Sequence, residues 1–403
     1  MDFWVQYGEA AKTAVGFFWK AGWAFVLGYA VSGMIQAFVP KERLTRYMGQ
    51  PDLRSISLST AFGAASSSCS FAALAAARSL VLKGAHFVAA VAFMFASTNL
   101  VVELGILIFM FLGWQYLAAE VVGGLTLIVI SSILIRLTYP EAWLDAAREK
   151  VEEEAEAEED SFDWRERIRS RYGWHLVGHK FVSDWKMVWE EIVIGFSIAG
   201  FMAVFVPAGL WAAIFLTGHT ATLPGWLIAV ENAAVAPFVA AATFIGSMGN
   251  IPLATVLNAN GVLFAGIMGF IYSDLMVPPL VAINARYYGW RVALYIAGIM
   301  FLSIFLTALI LHFAFLAVGL TPESGKAVGD VVQFSLDYTF WLNLLMVFMA
   351  AGMVYLHRVH VREHLKGETM SMGGGAGPGF KRLATYAFTF LVGGGLLSLL
   401  LTG

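Results

Sequence analysis

Apolar runs long enough to cross a bilayer, which takes roughly 20 residues, recur from one end of the chain to the other. They predict eight full spans, at about 15–39, 85–111, 115–137, 187–211, 261–286, 292–318, 334–356 and 385–401. Two further apolar stretches, 55–79 and 233–260, are broken at the centre by polar residues. The first break is Ser66-Ser67-Ser68-Cys69-Ser70, and the second runs from Gly246 through Ser247, Gly249 and Asn250 to Pro252. Each half of the first stretch is about ten residues, or roughly 15 Å as helix. Lipid offers no water to freed backbone groups, so irregular polar backbone survives at membrane depth only against protein or a cavity. Both stretches are therefore expected to be re-entrant or broken helical hairpins with their tips near the midplane.

Polar islands also interrupt two of the spans. Ser97-Thr98-Asn99 begins thirteen residues after Gly84, and Ser273-Asp274 begins twelve residues after Gly261. A hairpin tip followed by a span with its own island thus occurs twice, about 177 residues apart, as a duplicated half predicts. Basic residues suggest orientation. Lys41, Arg43, Arg46 and Arg54 before the first hairpin, and Arg286 and Arg291 after the second island, belong on the cytoplasmic side. The span from 85 then runs outward and the span from 261 inward, so the fold expected is an all-α polytopic membrane protein with an inverted structural repeat. The expected organisation is a first membrane half at 1–137, a soluble acidic cytoplasmic connector at 138–186, and a second membrane half at 187–403. The connector carries Glu152, Glu153, Glu154 and Glu156, followed by Arg165, Arg167, Arg169 and Arg171, a pattern typical of a solvated linker.

Composition strengthens this picture. The 403 residues are 59% hydrophobic and 13% charged, against roughly 25% charged in a soluble protein. A net charge of −3 gives no basic face for nucleic acid. The single cysteine excludes an internal disulfide and an all-thiolate metal cage. Asp2 and Glu9 stand where a cleavable leader would be basic. The expected surroundings are membrane lipid and a small-molecule or ion substrate, with no cofactor called for and the oligomeric state left open.

Ionisable residues at membrane depth are functional candidates by default. Asp274 and Glu103 are the candidates for proton coupling, Asp274 also for attracting a cation; Glu103 follows Asn99 by one helical turn. Substrate contact is expected from Ser66, Ser67, Ser68, Cys69, Ser70, Ser97, Thr98, Asn99, Ser247, Gly249, Asn250, Ser273 and Asp274. Cys69 doubles as a candidate metal ligand. Serine hydroxyls at a tip can equally satisfy freed backbone groups, and a lone buried cysteine can simply pack. Glu120 and Asp337 are read as helix glue or boundary residues, and His86 as interfacial. His175 and His179 make an i, i+4 pair without a third ligand. Met346, Met349 and Met353 share a helix face, the pattern of ordinary packing. No His-Glu-x-x-His, paired Asp or Ser/Lys arrangement points to an enzyme. The function classes left are a carrier working by alternating access and a channel, the alternative cargo for either being a small inorganic anion.

The motifs Phe62-Gly63-Ala64-Ala65-Ser66-Ser67-Ser68-Cys69-Ser70-Phe71, Phe95-Ala96-Ser97-Thr98-Asn99-Leu100-Val101, Gly249-Asn250-Ile251-Pro252-Leu253-Ala254 and Phe270-Ile271-Tyr272-Ser273-Asp274-Leu275 resemble the predicted-permease family that includes the organoarsenical efflux permeases. The resemblance implies an inner-membrane permease, with efflux of a metal or metalloid species as the expected activity. Some relatives export trivalent organoarsenicals and others are linked to copper or zinc tolerance. The arsenical exporters resemble one another in a Cys-Ser-Cys-Ser tip, whereas this chain has Ser67-Ser68-Cys69-Ser70. One sulfur rather than two would meet a thiophilic centre here.

Overall fold

The computed structural model describes residues 3–38, 48–50, 52–66, 70–82, 84–138, 164–219, 221–243, 245–322, 328–331, 334, 336–364 and 378–402. Among these residues every regular element is helical. The first half contains α1 (Phe3–Phe38), α2 (Leu53–Ser66), α3 (Ser70–Leu82), α4 (Phe87–Asn99), α5 (Val102–Phe111) and α6 (Trp114–Thr138). After the short α7 (Trp164–Arg169) come α8 (Arg171–Phe205), α9 (Ala208–Ile214), α10 (Gly225–Thr243), α11 (Ser247–Ala259) and α12 (Phe264–Ile271). A 3₁₀ turn at Tyr272–Met276 leads to α13 (Pro278–Tyr288) and α14 (Trp290–Ala317). The short α15 (Val328–Val331) and two long helices, α16 (Tyr338–His364) and α17 (Pro378–Thr402), complete the order.

Seven helices are long and apolar enough to cross a membrane, and two bent pairs raise the number to nine. By length and composition these are the helices of a multi-pass membrane protein. The bent pairs are α4–α5, bent by 45°, and α12 with its 3₁₀ turn followed by α13, bent by 40°. Both were expected as full spans, each carrying a polar island. They bend at the islands, where Leu100 and Val101 leave the helix in one half and Val277 precedes Pro278 in the other. Proline at the first helical position starts a helix well but cannot continue one, since it has no N–H to donate.

The hairpin arms are longer than the ten residues expected for the first. The arms of the first are 14 and 13 residues, while α10 in the second has 19 residues, roughly 28 Å and close to a full hydrocarbon thickness. The expected span at 187–211 ends early at Phe205, and α9 is a separate helix. Of the segment 138–186, residues from Trp164 are described, and from Arg171 onward it is one helix with the following span. The acidic run at 152–156 lies outside the described residues.

Long helix, hairpin, bent pair, long helix is the order in both halves: α1 to α6, then α8 to α14 apart from the inserted α9. The most extensive packing joins α1 to α8. Ring pairs Phe3–Phe205, Phe25–Phe196, Tyr29–Trp185 and Phe38–Trp174 follow one another along the pair, so these helices run antiparallel. The partners α6 and α14 are antiparallel as well. Thr138 meets Tyr295 at one end, with hydroxyls 2.9 Å apart, and Gly123 packs on Leu311 further along. Across the hairpins, α2 packs on α4 and α10 on α12, so each bent pair is held by its own hairpin.

Candidate functional site

The first tip and the second bent pair touch. Ser70 is the first residue of α3, and its Oγ donates a 2.7 Å hydrogen bond to Asp274 Oδ2. Ser70 is 2% exposed and Asp274 is fully buried. This bond crosses from one half of the chain to the other. Asp274 Oδ1 has no hydrogen-bond partner. Glu120, from α6, lies within electrostatic range of Asp274, and so does Glu191, from α8. Both oxygens of the buried Glu120 carboxylate are also unpartnered. The neighbouring Tyr272 hydroxyl anchors the 3₁₀ turn to α6 by donating to Ala119 O at 3.0 Å.

A second acidic group brackets the other side of the same tip. Ser32 Oγ lies 3.4 Å from Ser66 O and 3.3 Å from Asp184 Oδ2, so one hydroxyl proton serves two acceptors. Gln36 Nε2 donates to the same carboxylate oxygen at 2.7 Å. Glu103 is 2% exposed and takes up the space that a side chain on Gly28 of α1 would need. Asp184 is the acidic neighbour that acts on it. The bend after Asn99 breaks the continuous face expected to join Asn99 to Glu103: Glu103 belongs to the first turn of α5 and looks toward α1.

The remaining expected site residues separate by what their polar atoms do. Ser97 Oγ and Thr98 Oγ1 bond back to Met94 O at 3.0 and 3.2 Å, and Ser273 Oγ bonds to Gly269 O. Ser66 Oγ likewise donates to Gly63 O at 2.9 Å. These four hydroxyls are spent on their own helices. Asn99 Nδ2 donates to Phe95 O at 3.1 Å, but its Oδ1 has no partner. Asn250 is fully buried with neither amide atom partnered. An unpartnered buried polar atom costs about 1–3 kcal/mol, so these groups are kept against a penalty. Ser247 starts α11 and is 6% exposed. Gly249 sits where α11 crosses α8: a Cβ there would meet Gly195 Cα at 3.2 Å and Glu191 O at 3.3 Å. Ser67, Ser68 and Cys69 lie outside the described residues.

Glu191 also lies against Gly246, the residue that caps α11. Both hairpins therefore present a helix N-terminus to a carboxylate, Asp274 at Ser70 and Glu191 at Gly246. The partial positive charge of a helix N-terminus favours such an anion.

Sequence reasoning missed Asp184, which is hidden among the charges assigned to the connector, and Glu191, which stands at the edge of a span. It also underrated Glu120. The signal in each case is a carboxylate on an otherwise small or apolar helix face. Five other residues have structural places. His86 caps α4, its Nδ1 accepting from Val88 N at 3.2 Å. Asp337 Oδ1 accepts from Thr339 N at 2.9 Å, capping the start of α16 rather than lying within a span. Met346 is buried, and Met349 and Met353 pack on the core.

Buried polar islands on bent helices, set among spans, are an arrangement suited to a membrane permease. The chain belongs to the family described as "Predicted permease" (ArsP_1), which matches residues 6–313. It is similar to "Putative permease Rv2963" of Mycobacterium tuberculosis, 38% identical over 329 residues that cover 78% of this chain and 79% of that protein. It is also similar to "UPF0718 protein YraQ" of Escherichia coli, 28% identical over 178 residues, 44% of this chain and 45% of that one. No solved structure matches the chain.

Proposed function

We propose that this permease is a carrier, not an enzyme or a channel, that moves a small solute by alternating access. The binding site would lie where the first tip meets Ser273 and Asp274. The Ser70–Asp274 bond carries this reading: it is a buried, half-satisfied carboxylate joining the two halves, and breaking or remaking it would accompany any rocking of one half on the other. The halves are read as inverted repeats with hairpins entering from opposite faces, a reading supported by the antiparallel runs of α1 with α8 and α6 with α14.

The cargo proposed is a cationic or electron-poor metal or metalloid species, moved outward across the inner cell membrane. Support comes from carboxylates on both sides of the tip: Asp274, Glu120 and Glu191 on one, Asp184 and Glu103 on the other. An inorganic anion would meet carboxylates at both hairpin helix starts, which disfavours that alternative. Cys69, next to Ser70 in sequence, would add a single soft ligand, with Ser67 and Ser68 as neighbouring oxygen donors. Asp274, with Glu103 as the second candidate, would couple transport to protons.

Flux from proteoliposomes loaded with trivalent arsenicals or first-row divalent cations tests the proposal. Wild-type flux should saturate and respond to an imposed pH gradient. In Asp274→Asn both the flux and its response to the gradient should fall at least tenfold, and Cys69→Ser should weaken arsenical flux selectively. Wild-type flux that never saturates would replace the carrier with a channel. Unchanged flux and pH response in Asp274→Asn would remove the assigned coupling residue.

A further inference from the structure

Five of the eight histidines gather at one place, away from the tips. His175 and His179 on α8 face His357, His360 and His364 on α16. The two helices can approach this closely because Gly178 lies between them: a Cβ there would meet Met353 O at 2.7 Å and His357 N at 2.8 Å. Ring centroids stand 5.1 Å apart for His179–His357, 4.9 Å for His179–His360 and 5.2 Å for His360–His364. His175 Nδ1 lies 3.2 Å from Glu363 Oε2, and His364 Nε2 lies 3.7 Å from the same oxygen.

We propose that His175, Glu363 and His364 form a site for one first-row divalent cation, which ties α16 to α8. Their ligand atoms all lie within 4.8 Å of one another. Bonds of about 2.0–2.1 Å in a tetrahedral site bring ligand atoms to roughly 3.4 Å, so closure needs side-chain rotations of about 1 Å. Two imidazoles and one carboxylate suit zinc, cobalt, nickel or copper(II) better than calcium or magnesium, which prefer all-oxygen sites. Independent support comes from the neighbouring nitrogens: the Nδ1 atoms of His179, His357 and His360 are buried with no hydrogen-bond partner. Polar atoms in such a position are normally satisfied.

The charges nearby select which corner of the cluster holds the ion. Lys180, Lys186 and Arg358 bear on His179 and His357, so a cation there is repelled. Glu363 supplies negative charge only at the His175–His364 corner. His360, 5.2 Å from His364, is placed to orient the ligand ring or to serve as a fourth ligand. Most of the cluster comes from α16, beyond the residues matched by the permease family. The site would thus attach an outlying helix to the body matched by the family, and ion occupancy would set how firmly α16 holds α8. It does not depend on the transport reading.

The test is Co²⁺ titration of the full-length protein in detergent, carrying no polyhistidine tag, read by visible absorption and by equilibrium dialysis. About one equivalent should bind with the intense bands of tetrahedral coordination. His175→Gln and His364→Gln should each weaken binding at least tenfold, and Glu363→Gln should do so by a smaller factor. Asp274→Asn should bind cobalt as wild type does, which separates this site from the transport path. Absent stoichiometric binding, or binding that survives His175→Gln with His364→Gln combined, would overturn the assignment. A metal-free thermal midpoint within a few degrees of wild type verifies that each variant is folded; if the glutamine pair fails that check, the single variants decide.

Discussion

The two hairpins begin their second helices in the same way and are secured in different ways. The first is tied by side chains, with Ser70 bound to Asp274 and Ser66 O facing Ser32. The second is tied by backbone proximity, with Gly249 against Gly195 where α11 crosses α8. Hydrogen bonds can be exchanged for solute or water at small net cost, whereas a close-packed crossing of backbones cannot shift without opening a void. On the proposed transport reading, movement and chemistry belong to the first tip and stiffness to the second.

The largest effect expected from this contrast is at the crossing. Gly249→Leu forces a branched side chain into backbone and should cost about 3 kcal/mol, the upper end for overpacking, seen as a lowered thermal midpoint or loss of monodisperse protein. Ser70→Ala removes a hydrogen bond to a carboxylate, a change of about 1.5–3 kcal/mol. It should fold and show reduced flux with an altered pH profile. If both substitutions lowered stability equally and left flux per folded molecule unchanged, the contrast would be broken.

A smaller effect sharpens it. Asn250 pays for two unpartnered amide atoms, so Asn250→Leu should leave stability unchanged or raise it by about 1–2 kcal/mol while lowering flux. A fall in stability of that size would mean the amide is structural. Smallest of all, His86→Ala removes the cap of α4 and should cost about 1 kcal/mol, with no effect on flux.

Much of this arrangement is legible in the chain because lipid imposes simple rules. Spans follow from run length, and the breaks at Ser66–Ser70, Ser97–Asn99 and Ser273–Asp274 follow from polarity where no water reaches. What pattern alone cannot supply is the partner of each island. Ser70 and Asp274 are 204 residues apart, and no local periodicity encodes that pairing. The bend that turns Glu103 away from Asn99 depends on two residues leaving helical geometry, which apolar Leu100 and Val101 do not advertise. Asp184 was hidden by the charges around it: a helix that leaves the membrane can keep one buried face, and composition averages that face with its solvated neighbours. The histidine cluster needs α16, whose residues 357–364 look in isolation like an ordinary basic helix end.

The account turns on a cation-selective or metalloid-selective site at the Ser70–Asp274 junction. The measurement is the thermal midpoint of detergent-solubilised protein in the His175→Gln, His364→Gln background, with and without Asp274→Asn, against trivalent arsenicals, divalent cations and small oxyanions. A ligand that binds only the folded state raises the midpoint by mass action. The account predicts a rise with an arsenical or a divalent cation that disappears in Asp274→Asn, and none with oxyanions. A rise with oxyanions that persists in Asp274→Asn would contradict it and make the helix starts at Ser70 and Ser247 the candidate anion site.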